Sequence, residues 1–271
     1  MKQWYKNLLV LTPLLFGGLL FSLDATLSII RAMLIFCAVS GSIYILNDIR
    51  DKERDAHHPK KQYRPIPSGA ISVHHAWGIA SILLVLAIIG LIPMKPLFIG
   101  IIGLYVIQNI AYTFWLKNLF IVDVIVIGVG FILRILAGCV TLDVALSPWL
   151  FTATFLIALM LGFSKRYAEI TRTESASDHR PVLQAYNCTI LQAYIIVSSS
   201  VALIVYLIYA ISGAHSPYFV LTVPCAVYGI FTFLAQSLIA GFDPDDMFKD
   251  YTFLANLLVW FALVVVVLYG L

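Results

Sequence analysis

Asp48, Asp51 and Asp55 are spaced three and four residues apart. On a helix that spacing gathers three carboxylates on one face, with Asn47 beside them. Three like charges on one face repel unless a cation lies between them. Mg2+ suits such a group: it takes oxygen ligands, keeps several waters and completes its shell with substrate phosphates. Arg50, Lys52 and Arg54 offer the competing account, a salt-bridged face that needs no metal. The alignment of all three acids favours the metal. Downstream, Lys60, Lys61 and Arg64 precede Pro65, Pro67 and Gly69. The prolines stiffen the loop, and the cations can meet phosphate oxygens, Arg64 in bidentate fashion. Attraction to anionic headgroups would also explain such cations. Beside three aligned carboxylates, phosphate binding is the stronger reading.

A second charged cluster reads Lys165-Arg166-Tyr167-Ala168-Glu169. Lys165 and Glu169 are four apart and face one side, while Arg166 and Glu169 are three apart and can pair. The group suits an anionic ligand, with one acid for a metal or a ribose hydroxyl. A helix-end salt bridge would use the same residues. Arg134 lies deep in an apolar run, after Gly130-Phe131-Ile132-Leu133. A buried cation in a membrane helix is costly and marks a functional site by default. Its expected partner is a substrate phosphate or an acid such as Asp123. Arg31 lies nearer a span end and is expected to snorkel. Lys2 and Lys6 flank Trp4, either as ordinary interfacial anchors or as an entry site for a lipid phosphate. The pairs His57, His58 and His74, His75 lack the i, i+4 spacing of metal ligands and read as interfacial, with His57 or His58 a weaker substrate contact.

Membrane helices must position these groups. Of 271 residues 61% are apolar and 11% charged, and the mean hydropathy is +0.96. Apolar stretches of membrane-spanning length recur along the whole chain, which excludes an ordinary soluble domain. Yet ten of the 31 Asp, Glu, Lys and Arg residues fall within the 17 positions 48–64. Nine spans of about 17 to 25 residues can be drawn, at 6–22, 27–46, 73–92, 97–115, 121–141, 147–165, 189–211, 217–240 and 252–270. The first is read as a membrane helix rather than a signal peptide, since further spans follow it directly. Pro93, Pro96, Pro148 and Pro217 sit near span ends, and Pro224 is expected to kink the span that contains it. Cys37, Cys139, Cys188 and Cys225 are isolated and read as packing residues.

Basic residues orient the chain. With the N-terminus in the cytoplasm, 14 of the 17 Lys and Arg fall on the cytoplasmic side and Lys95 alone on the other, Arg31 and Arg134 lying inside spans. Such a bias sets membrane topology. The loops after the second, sixth and eighth spans are also dense in acids, which topology does not require. Charged motifs after spans two and six hint at an internal duplication, but residue identity between the halves is weak.

Asn47-Asp48-x-x-Asp51-x-x-x-Asp55, followed by Arg64-Pro65 and Gly69, resembles the first Asp-rich motif of the UbiA-type membrane prenyltransferase superfamily. The resemblance implies an all-α fold: nine transmembrane helices around a central cavity open to the cytoplasmic side, in a single domain over residues 1–271. Typical members carry a second aspartate pair after the sixth span, which holds a second Mg2+ on a prenyl diphosphate. Here that position is Lys165-Arg166-Tyr167-Ala168-Glu169. With Gln3-Trp4-x-Lys6-Asn7 and Ser147-Pro148-Trp149, it resembles one branch, the decaprenyl-phosphate phosphoribosyltransferases of arabinogalactan precursor synthesis.

That branch implies phosphoribosyl pyrophosphate as donor, a polyprenyl phosphate as acceptor, Mg2+ as cofactor, a place in the inner (plasma) membrane and no nucleic acid. In a displacement at ribose C1, Asp48, Asp51 and Asp55 would hold Mg2+ on the leaving pyrophosphate. Lys60, Lys61, Arg64, Lys165 and Arg166 would neutralise phosphates, with Asn47, Tyr167 and Glu169 as further substrate contacts. Lys6 and Arg134 would meet the lipid headgroup. The acceptor is already anionic, so positioning carries more of the work than base catalysis. One alternative is an aromatic prenyltransferase of quinone or haem biosynthesis, using a prenyl diphosphate. Another is a transporter, which would put ionisable groups near the bilayer midplane, whereas these acids cluster at one face. A homo-oligomer stays open, since lipid-facing and protein-facing apolar residues look alike in sequence.

Overall fold

A computed structural model of the chain describes residues 4–57, 61–172, 181–213, 216–239 and 244–270. Among these residues eight helices are long and apolar enough to cross a membrane, and there is no strand. They are α1 (Leu23–Arg50), α2 (Val73–Leu91), α3 (Pro96–Phe114), α4 (Val122–Leu142), α5 (Pro148–Arg172), α6 (Cys188–Ile208), α7 (Val223–Ile239) and α8 (Tyr251–Tyr269), α6 spanning together with the π turn Tyr209–Gly213 and α7 together with the 3-10 turn Pro217–Thr222. Local chemistry sets their starts. Ser22, Ser72, Asn187 and Asp250 cap α1, α2, α6 and α8 through their side-chain oxygens. Pro96 and Pro148 open α3 and α5, where a missing N–H is harmless. Apolar side chains of α2 such as Ile82, Val85, Leu86, Ile88 and Ile89 point outward. In water they would form a large exposed patch, but acyl chains solvate them. The protein is an all-α polytopic membrane protein.

The first expected span, 6–22, is not a long helix. It is a 3-10 segment, Trp4–Leu11, then one short α-helix, Thr12–Phe16, and a turn. Pro13 and the Gly17-Gly18 pair, Gly18 at φ 73°, prevent a continuous helix. The segment nonetheless packs along α1: Asn7 reaches Ser40, and Trp4 lies beside Gly41. Gly138 admits it against α4, because a Cβ there would sit 2.1 Å from the Val10 carbonyl oxygen. Pro224 also differs from expectation. It falls in the first turn of α7, after a 3-10 turn Pro217–Thr222, and so starts a helix instead of kinking one.

The chain divides into two compact units, Met1–Lys117 with Leu133–Ala145, and Asn118–Ile132 with Leu146–Leu271. α4 contributes its beginning to the second and its remainder to the first. The first unit packs the N-terminal segment, α1, α2, α3 and the end of α4 around Phe36, Val39, Phe98 and Leu133. The second packs the start of α4 with α5, α6 and α7 around Val124, Met160, Leu191, Ile195 and Phe233.

Candidate active site

In the first unit, α1 ends at Arg50 and Asp51 (φ −92°, ψ 8°) interrupts the helix before a short one, Lys52–Ala56. Residues 61–69 form hydrogen-bonded turns. Arg64 N–H donates to the Lys61 carbonyl and Ser68 N–H to the Arg64 carbonyl, each at 2.9 Å. Ile66 is buried beneath it, and Gly69 takes φ 80°, which favours glycine. From this turn Arg64 Nη1 donates to Asp48 Oδ1 at 2.8 Å and to Asp55 Oδ2 at 3.0 Å. Lys61 Nζ stands 3.8 Å from Asp55 Oδ1. Asp51 has other partners. Lys117 Nζ donates to its two oxygens at 2.9 and 3.0 Å, and Arg54 Nη2 donates to Oδ1 at 2.6 Å. Burial pushes the Asp51 carboxyl up, but hydrogen bonds and charge from Lys117 and Arg54 hold it below the usual aspartate value.

The three acids are thus divided, not pooled. Asp48 and Asp55 converge on one cation and Asp51 on others. Among the described residues no three His, Cys, Asp or Glu side chains converge as a ready metal cage. The expected three-aspartate ligand set is corrected to that extent. The donor set still fits Mg2+, which binds through one or two carboxylates and completes its shell with water and phosphate. Oxygens of two aspartates already meet at one cationic centre. Asn47 is on the last turn of α1, its carbonyl accepting the Asp51 N–H at 2.9 Å. Lys60 lies outside the described residues, as does His58.

Arg134 is buried in the same unit, 3% exposed. Its Nε donates to Asn7 Oδ1 and its Nη2 to the Tyr105 hydroxyl, both at 2.8 Å. Its guanidinium lies over the Phe36 and Tyr105 rings, at 5.4 and 4.8 Å. Arg134 therefore anchors the N-terminal segment beside Lys6, which is partly buried. Asp123, an expected partner, lies eleven residues earlier on α4, roughly 16 Å along the axis at 1.5 Å per residue.

Asp123 belongs to the second unit and binds Arg166. Arg166 Nε donates to Asp123 Oδ2 at 2.8 Å, and Nη1 to Glu169 Oε2 at 2.7 Å. The Tyr186 hydroxyl donates to Asp123 Oδ1 at 2.6 Å and accepts the Ile121 N–H at 3.0 Å. Burial and then the adjacent carboxylate push that hydroxyl above its ordinary range, so it stays a neutral donor. Tyr167 is buried, its hydroxyl accepting from Gln192 Nε2 at 2.9 Å. Lys165 and Glu169 are partly exposed. Nearby acids serve structure: Asp250 caps α8, and Asp246 meets Lys249 at 2.6 Å and Arg172 at 3.7 Å.

The UbiA prenyltransferase family model matches residues 10–258. The chain belongs to this family. It is 34% identical over 196 residues to the decaprenyl-phosphate phosphoribosyltransferase of Corynebacterium glutamicum, covering 70% of this chain and 59% of that protein's length. It is 31% identical over 216 residues to the enzyme of that name from Mycolicibacterium smegmatis, covering 78% and 68%. Its fold is similar to a UbiA homologue from Archaeoglobus fulgidus bound to DMAPP and Mg2+, with a TM-score of 0.71 and 17% identity over 100% of this chain and 97% of that one. This UbiA family member is thus a member of an enzyme family. Three residues of its charged clusters were not singled out in the sequence as site residues: Lys117, Asp123 and Tyr186. Lys117 had one signal, a lone cation in Trp115-Leu116-Lys117-Asn118 between two spans.

Proposed function

We propose that this protein transfers the 5-phosphoribosyl group of phosphoribosyl pyrophosphate to a polyprenyl phosphate and releases pyrophosphate, with Mg2+, in the synthesis of a cell-wall arabinan precursor. The observation that carries this reading is the state of the second motif. Arg166 takes up both Asp123 and Glu169, so α5 ends without a carboxylate pair for a second metal and carries Lys165 beside them. A prenyl diphosphate donor held by two metals fits that poorly. A donor with a pyrophosphate at C1 and a separate 5-phosphate fits it well. The phosphoribosyltransferase relatives support the same choice.

Asp48 and Asp55, with Asp51 and Asn47 beside them, would hold Mg2+, which supplies charge neutralisation on the leaving pyrophosphate. Arg64, Lys61 and Lys60 take phosphate oxygens, and Arg64 turns from carboxylate to phosphate within its hydrogen-bonded turn. Lys165 meets the 5-phosphate, with Tyr167 and Glu169 beside it, and Arg166 orients them. Arg134, through Asn7, sets Lys6 for the lipid phosphate. The acceptor oxygen is already anionic, so alignment at C1 lowers the barrier more than proton removal does. We assign the charged motifs to the cytoplasmic face of the inner membrane, where a soluble phosphorylated donor is available, and both units to one catalytic domain, since the family model spans both.

The test is direct. Purified protein in lipid receives radiolabelled phosphoribosyl pyrophosphate and a polyprenyl phosphate, with and without Mg2+. The expected product is Mg2+-dependent ribosylated lipid phosphate, and a prenyl diphosphate competes weakly. Turnover of a prenyl diphosphate onto an aromatic acceptor, with no ribosylated lipid, would refute the proposal.

A further inference from the structure

Asp123 and Arg166 are 0% and 1% exposed. Both are withdrawn from solvent, and a buried ion pair adds little stability over apolar residues of the same size. Their neighbours suggest another use. Phe120 sets the Tyr186 ring, with centroids 4.7 Å apart, and the Tyr186 hydroxyl links the Ile121 N–H to Asp123. Ile121 has φ 64°, a region that a β-branched residue avoids and keeps only where its surroundings impose it. Asp123 fixes one edge of the Arg166 guanidinium, and Arg166 passes that orientation to Glu169. One turn earlier, Gly162 lets α5 lie against α4, since a Cβ there would sit 2.5 Å from Val124 Cγ1. One residue later, Tyr167 is tied to Gln192. The last turns of α5 are thus held from several sides, and Lys165 and Glu169, four apart on one face, are left partly exposed.

We propose that Asp123 and Tyr186 are positioning residues: through Arg166 they hold Glu169, and the Lys165–Glu169 face with it, in the orientation that binds the ribose phosphate of the donor. This rests on the phosphoribosyl reading above. It separates the two cations of the second motif, with Lys165 meeting the ligand and Arg166 transmitting geometry.

The test measures donor KM, acceptor KM and kcat for the full-length protein in lipid nanodiscs, as wild type, Y186F, D123N, D123E, E169Q and Y186F/E169Q. Y186F keeps the ring and loses one hydroxyl. A hydrogen bond to a charged group is worth about tenfold in binding, so donor KM rises about tenfold in Y186F. Acceptor KM stays near wild type, and the thermal midpoint falls by only a few degrees, since the fold keeps the Asp123–Arg166 pair. In the E169Q background the same change adds nothing, because its route is gone. D123N raises donor KM further, and D123E, which keeps the charge, recovers part of it; Y186F decides if D123N does not fold. An unchanged donor KM in Y186F, equal rises in both KM values, or full additivity with E169Q overturns the inference. A wild type that makes no ribosylated lipid from phosphoribosyl pyrophosphate overturns the functional reading, and this inference with it.

Discussion

In the first unit, Arg64, its side chain 37% exposed, bridges Asp48, 26% exposed, and Asp55, 6% exposed. In the second, Arg166 holds Asp123 with side chains 2% and 0% exposed. Both are bonds between a guanidinium and carboxylates at similar distances, but their surroundings make them different devices. Water and salt compete for the Arg64–Asp48 bond, so it is worth under about 1 kcal/mol and its arginine can turn toward a phosphate. The second pair cannot open without stranding a charge in a low-dielectric interior. Exchangeable pairs mark where an anionic ligand can enter, and buried pairs mark where the geometry around it is set.

The sharpest way to break that contrast is to remove one member of the buried pair. R166M leaves Asp123 uncompensated and should cost about 3 to 5 kcal/mol, read as loss of folded protein or a large fall in thermal midpoint. The double change D123L/R166M should recover most of that stability while activity stays lost. Recovery of activity too would make the pair a structural device and nothing more. Next in size are the close approaches in each unit. In G138A the new Cβ meets a backbone oxygen at 2.1 Å, and in G162A a methyl of the buried Val124 at 2.5 Å. Overpacking costs about 1 to 3 kcal/mol, so G138A should fall at or above the top of that range and G162A within it. The same thermal measurement checks both, and the reverse order would show that the N-terminal segment yields more easily than Val124.

The contrast also explains what could be read in advance. Span positions follow from hydropathy, and α1 to α8 lie close to expectation because a bilayer filters for length and apolarity. The first expected span is not one long helix, because hydropathy does not register what Pro13 and the Gly17-Gly18 pair do to a backbone. Helical spacing placed Asp48, Asp51 and Asp55 together, but it assumed a continuous helix, and the break at Asp51 sends that carboxylate to Lys117. The second motif was legible as a cluster, and the helix-end pair of Arg166 with Glu169 was foreseen as its plainer account. The role of Asp123 was not. A partner 43 residues away leaves no local pattern, and Arg134, equally buried and on the same helix, was the more obvious candidate.

Changes at the more exposed cluster should move function more than stability. Among the described residues, R64Q leaves the buried Asp55 with only Lys61, 3.8 Å away, so it should lower the unfolding free energy by about 1 to 2 kcal/mol, below the cost of R166M, and lower kcat/KM for the donor by about a hundredfold. The split between the two readouts is the point: a stability loss like that of R166M would remove the distinction between the clusters.

The smallest expected effect tests which cation governs Asp51. Its carboxyl lies below the usual aspartate value because Lys117 and Arg54 outweigh burial. A group depressed on folding adds stability above its unfolded value and loses that contribution as pH falls through its folded value. K117M removes the main partner and leaves Arg54. The thermal midpoint of wild type should therefore exceed that of K117M by a constant margin from about pH 6 to 8, and the margin should close as pH falls past the ordinary aspartate value of about 4. A margin that grew on acidification would mean burial dominates at Asp51. A margin absent at neutral pH would assign the carboxylate to Arg54, whose side chain is 35% exposed, and would make Asp51 as exchangeable as Asp48.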